Sequence, residues 1–171
     1  MNIIKYFGII LIFIASTYIG KLYANKYKNR VDELEKMKSS LNIFKAKIKF
    51  TCNTIPEIFE DIGKNLDEPI GKIFLDASKL MEQQIAKDAW DTSLNQNICR
   101  TNFNKKDIED LKELSKMLGN TDVQGQISQI ELVMQLIEGQ TKQAQIEMQK
   151  NSKLYRTLGI TAGLTIAIIL I

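Results

Sequence analysis

Histidine is absent from this chain of 171 residues. Its absence removes the commonest general base, the commonest metal ligand and every triad of the Ser/His/Asp or Cys/His type. Two prolines and nine glycines disfavour a turn-rich β-sandwich. The two cysteines, Cys52 and Cys99, are too few for a disulfide framework and lack the C-x-x-C spacing of a zinc or redox site. The sequence therefore predicts a protein that is not an enzyme and holds no cofactor and no metal.

Charged residues are scarce at both ends of the chain. All 20 acidic residues, and all of the 23 basic residues except Lys5, lie between residues 21 and 156. The signs interleave in this middle part, so no block of positive charge is available to neutralise a phosphate backbone. No P-loop is present either, because the Gly-Lys pairs at 63–64 and 71–72 lack the rest of that motif. Neither nucleic acid nor a nucleotide is an expected partner.

The N-terminal apolar run covers residues 6–20, with the sequence YFGIILIFIASTYIG. As a helix it spans about 22 Å, against about 30 Å for the hydrocarbon core of a bilayer. The span becomes adequate if Lys5 and Lys21 extend their ammonium groups to opposite interfaces. A cleaved signal peptide is the competing interpretation, but no clear A-x-A cleavage site follows the run. We therefore expect a retained transmembrane anchor over residues 1–23.

The C-terminal apolar run covers residues 157–171 and is again free of charge. Gly159 and Gly163 form a G-x-x-x-G pair, and Ala167 extends it along the same helix face. Ser16 and Gly20 have the same spacing in the first run. Small residues allow close approach of membrane helices, so the pattern predicts a second anchor over residues 154–171 that packs on the first.

Flanking cations predict the orientation of the two anchors. Seven basic residues lie on the inner side of the two runs, and Lys5 alone lies on the outer side: Lys21, Lys26, Lys28, Arg30, Lys150, Lys153 and Arg156. By the positive-inside rule the intervening domain, residues 24–153, is expected in the cytoplasm. Two unpaired cysteines agree with a reducing compartment. We assign Lys5, Lys21, Lys153 and Arg156 as membrane-interface anchors.

The middle of the chain has the pattern of an all-α protein. Residues 22–53 contain neither glycine nor proline and carry apolar residues at heptad spacing, which predicts one long amphipathic helix. Thr54 and Glu57 have the spacing of a capping box, and Asn104 is a candidate N-cap. The last helix, starting near Thr121, meets no stop signal before the membrane. A cytoplasmic bundle of about six helices, flanked by the transmembrane helices, is the predicted fold.

Two features of the middle admit a functional and a structural interpretation. Trp90, the single tryptophan, suits a core anchor or a partner hot spot, and we favour the core. Asp107, Glu109 and Asp110 form an acidic cluster, for which stabilisation of a helix N-terminus is a sufficient explanation without acid catalysis.

Three passages of this chain resemble a known family. They are KLYRTLGITAGLTIAIILI at 153–171, LGNTDVQGQ at 118–126 and RVDELEKMKSSLNIF at 30–44. They are similar to stage III sporulation protein AB, a family of endospore-forming bacteria, and the likeness covers nearly the whole chain. Two departures lie in KIKFTCNTIPEIF, where Lys47 replaces an expected glutamate and Thr54 an expected proline.

The resemblance implies a membrane component of the channel apparatus between mother cell and engulfed forespore, in the mother-cell membrane that faces the forespore. It also implies a soluble part similar to the platform F domain of type II secretion and type IV pilus systems, which receives a secretion-type ATPase, here stage III sporulation protein AA. Other stage III channel proteins would be further partners. As a candidate partner surface we take Arg30, Lys47 and Glu57, with solvated helix surface as the alternative role. A helical scaffold or tether without ATPase contact is the rival function, and homo-oligomerisation stays open.

Overall fold

The computed structural model of the chain describes residues 2–51, 53–116, 118–119 and 122–170, with side chains from residue 6 onward. Cys52, Thr121 and the side chain of Lys5 lie outside the described residues. Within the described ranges the chain is built from helices, with no strand. The all-α prediction is confirmed.

Two long helices enclose four short ones in the sequence. The six α-helices are α1 (Asn2–Phe50), α2 (Ile55–Lys64), α3 (Ile70–Leu80), α4 (Ala86–Asn97), α5 (Lys105–Lys112) and α6 (Val123–Leu170). Short 3₁₀ segments cover Ile98–Arg100 and Glu113–Lys116. Each apolar run is part of a longer helix, α1 or α6. The six α-helices of the described residues therefore already include the two candidate membrane spans, which the prediction treated as additional flanking helices. The expected continuity of the last helix into its apolar run is confirmed.

The chain forms two compact units, and both long helices contribute to each. The first unit comprises residues 1–31 and 143–171, and the second comprises residues 32–142. We call them the terminal unit and the central unit. The boundaries of the anchors at residues 23 and 154 concern entry into a membrane and stay a prediction.

An aromatic cluster fills the core of the central unit. Phe59 lies edge-on to Phe44, Phe74 and Trp90, with ring centroids 4.8, 5.2 and 5.6 Å away. Trp90 is fully buried, and its indole Nε1–H donates a hydrogen bond to the carbonyl of Leu111 at 3.0 Å. The indole ring is therefore packed against other aromatic rings, and its N–H group has a hydrogen-bond partner, as is normal for buried tryptophans. The interpretation of Trp90 as a core anchor is confirmed.

Close helix contact in the central unit depends on glycine. A Cβ on Gly63 would lie 2.6 Å from Cγ of Leu75 and 2.8 Å from the carbonyl oxygen of Gly71. Any larger residue would push α2 away from α3. Gly63, the glycine of the Gly-Lys pair at 63–64, thus has a packing role.

Local capping signals in the sequence locate two helix starts. At α2 the backbone N–H of Thr54 donates to Glu57 Oε2 at 2.8 Å, the return bond of the expected capping box. At α5 Asn104 and Asp107 exchange two such bonds, each 2.8 Å long. Both predicted caps are confirmed.

Two residues of the acidic cluster of α5 are buried, and the third, Glu109, is exposed. Asp107 is fully buried within its capping box, and Asp110 is also buried. Asp110 accepts hydrogen bonds from Gln140 Nε2 at 2.8 Å and from Lys106 Nζ at 2.9 Å. Burial of a carboxylate requires such partners. The α-helix ends at Lys112, and the chain continues as the 3₁₀ segment Glu113–Lys116.

Candidate membrane-anchoring site

The apolar runs of α1 and α6 meet in the terminal unit at three small residues. Ser16 Oγ–H donates a hydrogen bond to the carbonyl of Gly159 at 2.8 Å. A Cβ on Gly159 would lie only 2.9 Å from Gly20 Cα and 2.9 Å from the carbonyl oxygen of Ser16. Backbone atoms cannot yield as side chains can, so the contact requires glycine at both positions.

The contact continues along α6 on the face that the G-x-x-x-G spacing predicts. A Cβ on Gly163 would meet Phe13 Cδ2 at 2.9 Å, and Gly163 is buried. Ala167, one turn further, is half-buried. In these contacts the residue numbers rise along α1 as they fall along α6, so the two helices of the terminal unit pack antiparallel. We call this antiparallel pair of helix segments the hairpin.

Three tyrosines stack at the polar end of this hairpin. The ring of Tyr155 lies 5.7 Å from that of Tyr23 and 5.8 Å from that of Tyr27, with interplanar angles of 20° and 22°. Tyrosines are common where a helix passes from hydrocarbon to water, because the ring is apolar and the hydroxyl is polar. Sequence analysis missed this stack, although aromatic residues next to an apolar run are a signal for it.

Arg30 has a different environment from the one expected. Its side chain is buried, and Nη1 lies 2.7 Å from Glu147 Oε2, across the same hairpin. Burial of a guanidinium is tolerated here because the carboxylate neutralises it. The expectation that Arg30 is exposed is wrong, because its guanidinium is buried beside Glu147.

The two other candidate partner residues lie in the central unit, near the junction of α1 and α2. Lys47 Nζ forms an ion pair with Asp61 Oδ2 at 2.7 Å. The hydrogen bond and charge of Lys47 hold the pKa of Asp61 below its ordinary value. Glu57 is exposed, and the N–H of Thr54 lowers the pKa of its carboxyl group. Lys47, Glu57 and Asp61 are called the α1–α2 charge patch below.

Of the four residues that we expect at a membrane interface, the three whose side chains are described lie at the polar end of the hairpin. Lys21, Lys153 and Arg156 are exposed, with Lys153 and Arg156 one turn apart on α6. Their long side chains can keep the charge in a polar layer while the stems cover apolar surface.

Both long helices contain a stretch that is apolar enough to cross a bilayer. The most apolar windows have mean hydropathies of 1.7 in α1 and 1.3 in α6, and only 17% and 6% of them are buried against protein. The core helix of a soluble protein would have most of its apolar surface covered. Large apolar side chains such as Phe7, Ile14 and Ile169 instead remain exposed, which favours lipid as their surroundings.

Comparison with known proteins agrees with this architecture. The family model described as stage III sporulation protein AB matches residues 5–171. The chain belongs to this family. The stage III sporulation protein AB of Bacillus subtilis (strain 168) is 27% identical over 169 residues, which cover 98% of this chain and 99% of that protein. A role in sporulation follows from the family.

A solved structure supports the fold independently. It is a stage III sporulation protein AB structure that superposes with a TM-score of 0.66 at 23% identity and covers 70% of this chain and 95% of its own. At this identity the likeness concerns the fold.

Proposed function

We propose that this member of the stage III sporulation protein AB family is a non-enzymatic membrane platform of the channel apparatus between mother cell and forespore. Its central unit docks a cytoplasmic secretion-type ATPase, stage III sporulation protein AA, and its terminal unit fixes the platform in the mother-cell membrane that faces the forespore. The observation that carries the proposal is the hairpin closed by Ser16, Gly20 and Gly159, because it joins two exposed apolar segments into one anchor.

The cytoplasmic orientation is supported by the charge distribution. Seven basic residues of the terminal unit lie in sequence between the apolar runs and the central unit, and Lys5 alone lies beyond them. A cationic flank stays on the cytoplasmic side during membrane insertion. A reporter enzyme fused after Gly119 is therefore expected to behave as cytoplasmic in cells. Export of that reporter would contradict the orientation and remove the cytoplasmic ATPase as a partner.

The α1–α2 charge patch is the part of the central unit that we assign to the ATPase. Lys47 and Asp61 are one-third and one-half exposed in their side chains, and Glu57 is exposed, so all three charges reach solvent. Exposed complementary charges mainly set the specificity and the rate of association. Loss of the patch should therefore weaken binding without unfolding the bundle.

A charge-swap experiment separates docking from folding. Lys47→Glu reverses one charge and breaks the ion pair with Asp61, whereas the double variant K47E/D61K restores the pair with reversed polarity. If the patch faces the ATPase, both variants are expected to lose binding by about tenfold, although only the single variant lacks its internal pair. Lys87→Glu, at an exposed position in the first turn of α4 outside the patch, makes the same change of charge. It is the matched control and should bind normally.

The rival function is a membrane tether without ATPase contact. It is favoured if the full-length protein in detergent micelles fails to bind the ATPase while its helical circular dichroism is intact. It is also favoured if all three charge variants support sporulation as well as the unaltered protein. Binding that is lost in K47E and recovered in K47E/D61K would contradict the patch as a docking surface, since folding alone would then explain the loss.

A further inference from the structure

An open groove lies between the two helices of the terminal unit at its polar end. Its volume is about 390 Å³, and the polar part of its lining includes Lys28 from α1 and Lys153 and Arg156 from α6. All three cationic side chains are exposed. None of the residues that line the groove is acidic, and within the described part of the chain none of these three cations forms a salt bridge with a carboxylate.

The terminal unit as a whole carries a strong excess of positive charge. It contains eight Lys or Arg residues and one acidic residue, Glu147, so its net charge is +7. Glu147 is already paired with Arg30. The central unit contains fifteen basic and nineteen acidic residues, a net charge of −4. Positive charge is therefore concentrated where the chain meets its apolar runs, and three of these charges share one groove.

The lining of the groove is polar except for Met148, where it begins on α6, and Ile160, where it ends. Asn25 and Ser152, which are half-buried, contribute hydrogen-bonding groups at the polar end. Arg156 is followed by the uncharged run, and Ile160, one turn further, lines the opposite end of the groove. This order matches the order of a phospholipid, with its charged headgroup above its glycerol and its acyl chains below.

We propose that this groove is a binding site for an anionic phospholipid. Lys28, Lys153 and Arg156 bind the phosphodiester, Asn25 and Ser152 hydrogen-bond the headgroup, and an acyl chain packs along Ile160. Three cations in a groove whose lining contains no acidic residue attract an anionic headgroup from both helices at once. This proposal rests on the proposed insertion of the hairpin into a membrane. It adds a preference for anionic lipids, which insertion by itself does not require.

Binding of defined lipids to the full-length protein tests the site. The protein in neutral detergent micelles is titrated with short-chain phosphatidylglycerol, with phosphatidylcholine of the same chain length and with inorganic phosphate, and bound lipid is counted by native mass spectrometry. We expect phosphatidylglycerol to bind about tenfold more tightly than phosphatidylcholine. The variant K28Q/K153Q should lose most of this preference. The control K21Q/K26Q removes the same amount of charge from two exposed lysines that do not line the groove. This control should keep the preference for phosphatidylglycerol within about twofold of the unaltered protein.

The outcomes are distinct. Equal loss of preference in both double variants would overturn the proposal, because a diffuse cationic surface would then explain the attraction. Equal binding of both lipids by the unaltered protein, or inorganic phosphate that displaces phosphatidylglycerol at matched concentration, would also overturn it. Flotation of each variant with phosphatidylcholine vesicles reports insertion separately. A variant that floats but has lost the lipid preference leaves the membrane anchor intact, whereas failure to float contradicts the anchor itself.

Discussion

Replacement of Trp90 by alanine is the most direct test of the core of the central unit. A buried aromatic side chain removes about 150–250 Å² from water, worth about 4–6 kcal/mol at about 25 cal/mol per Å². Truncation of large aromatic residues to alanine in protein cores costs about 3–5 kcal/mol. The carbonyl of Leu111 also loses its indole donor, which adds about 1 kcal/mol or more if no water replaces it. We expect Trp90→Ala to cost about 4–6 kcal/mol.

A second substitution separates the packing contribution from the hydrogen bond. Trp90→Phe retains a ring that can still contact Phe59 and Phe74 but removes the donor to Leu111. It should cost about 1–3 kcal/mol, clearly less than alanine. The difference between the two variants then measures what the aromatic packing contributes.

The assay is urea unfolding of a fragment that covers residues 25–152. We expect this fragment to fold on its own as a helical bundle, because the apolar faces of its helices point to a common core. Circular dichroism at the helical band follows all three proteins, since the substitutions remove the single tryptophan as a fluorescent reporter. With a typical stability of about 5–15 kcal/mol, the alanine variant would be marginal or unfolded at low urea. A loss below about 1 kcal/mol would refute the reasoning and favour a partner-facing tryptophan.

Two further predictions concern the hairpin and the ion pairs. Gly159→Ile should lower the melting temperature of the full-length protein in detergent micelles, because its Cβ would meet backbone atoms. Gly8→Ile is the control and should melt at the same temperature as the unaltered protein, because a Cβ at Gly8 meets nothing within 4 Å. Equal melting of the two would contradict the close contact. Hydrogen bonds from Lys142 and Lys38 lower the pKa of Glu138 from 4.5 to about 2. The stability from these pairs is present above pH 4.5 and is lost as the pH falls towards about 2. The stability of Glu138→Gln, measured by circular dichroism, should therefore depend less on pH in this acidic range. An unchanged pH dependence would contradict the contribution of these pairs.

Local signals in the sequence were sufficient for several elements. The capping residues at Thr54 and Asn104 located the starts of α2 and α5, because a cap satisfies backbone donors of the same helix turn. The lack of stop signals after residue 122 predicted one helix to the end of the second apolar run. Small residues at 16, 20 and 159 predicted where the apolar runs could approach. Each of these inferences depends on residues close in sequence or on a repeated spacing along one helix.

Other features depended on contacts between distant residues. Arg30 was expected at the surface because a charged residue in an amphipathic helix is usually solvated, but Glu147 of α6 neutralises it in a buried position. Glu33 likewise is buried because its two carboxylate oxygens accept from the backbone and side chain of Asn102 at 2.6 and 2.7 Å. Burial raises the pKa of Glu33, and the bonds from Asn102 oppose that shift. The sequence pattern of α1 does not predict that Glu147 pairs with Arg30 or that Asn102 pairs with Glu33.

The sequence alone determined the helical class, the helix ends that carry their own caps, and the two uncharged runs, since hydropathy, capping and backbone propensity act over a few residues. The tertiary structure decided which charges are buried, which aromatic rings form one cluster and which lysines share a groove. These depend on pairs such as Ser16 with Gly159, separated by 143 residues, whose contact stabilises the fold only after both helices have formed and packed. A local pattern records that a residue is small, charged or aromatic, and its partner is fixed only by the packing of the whole chain.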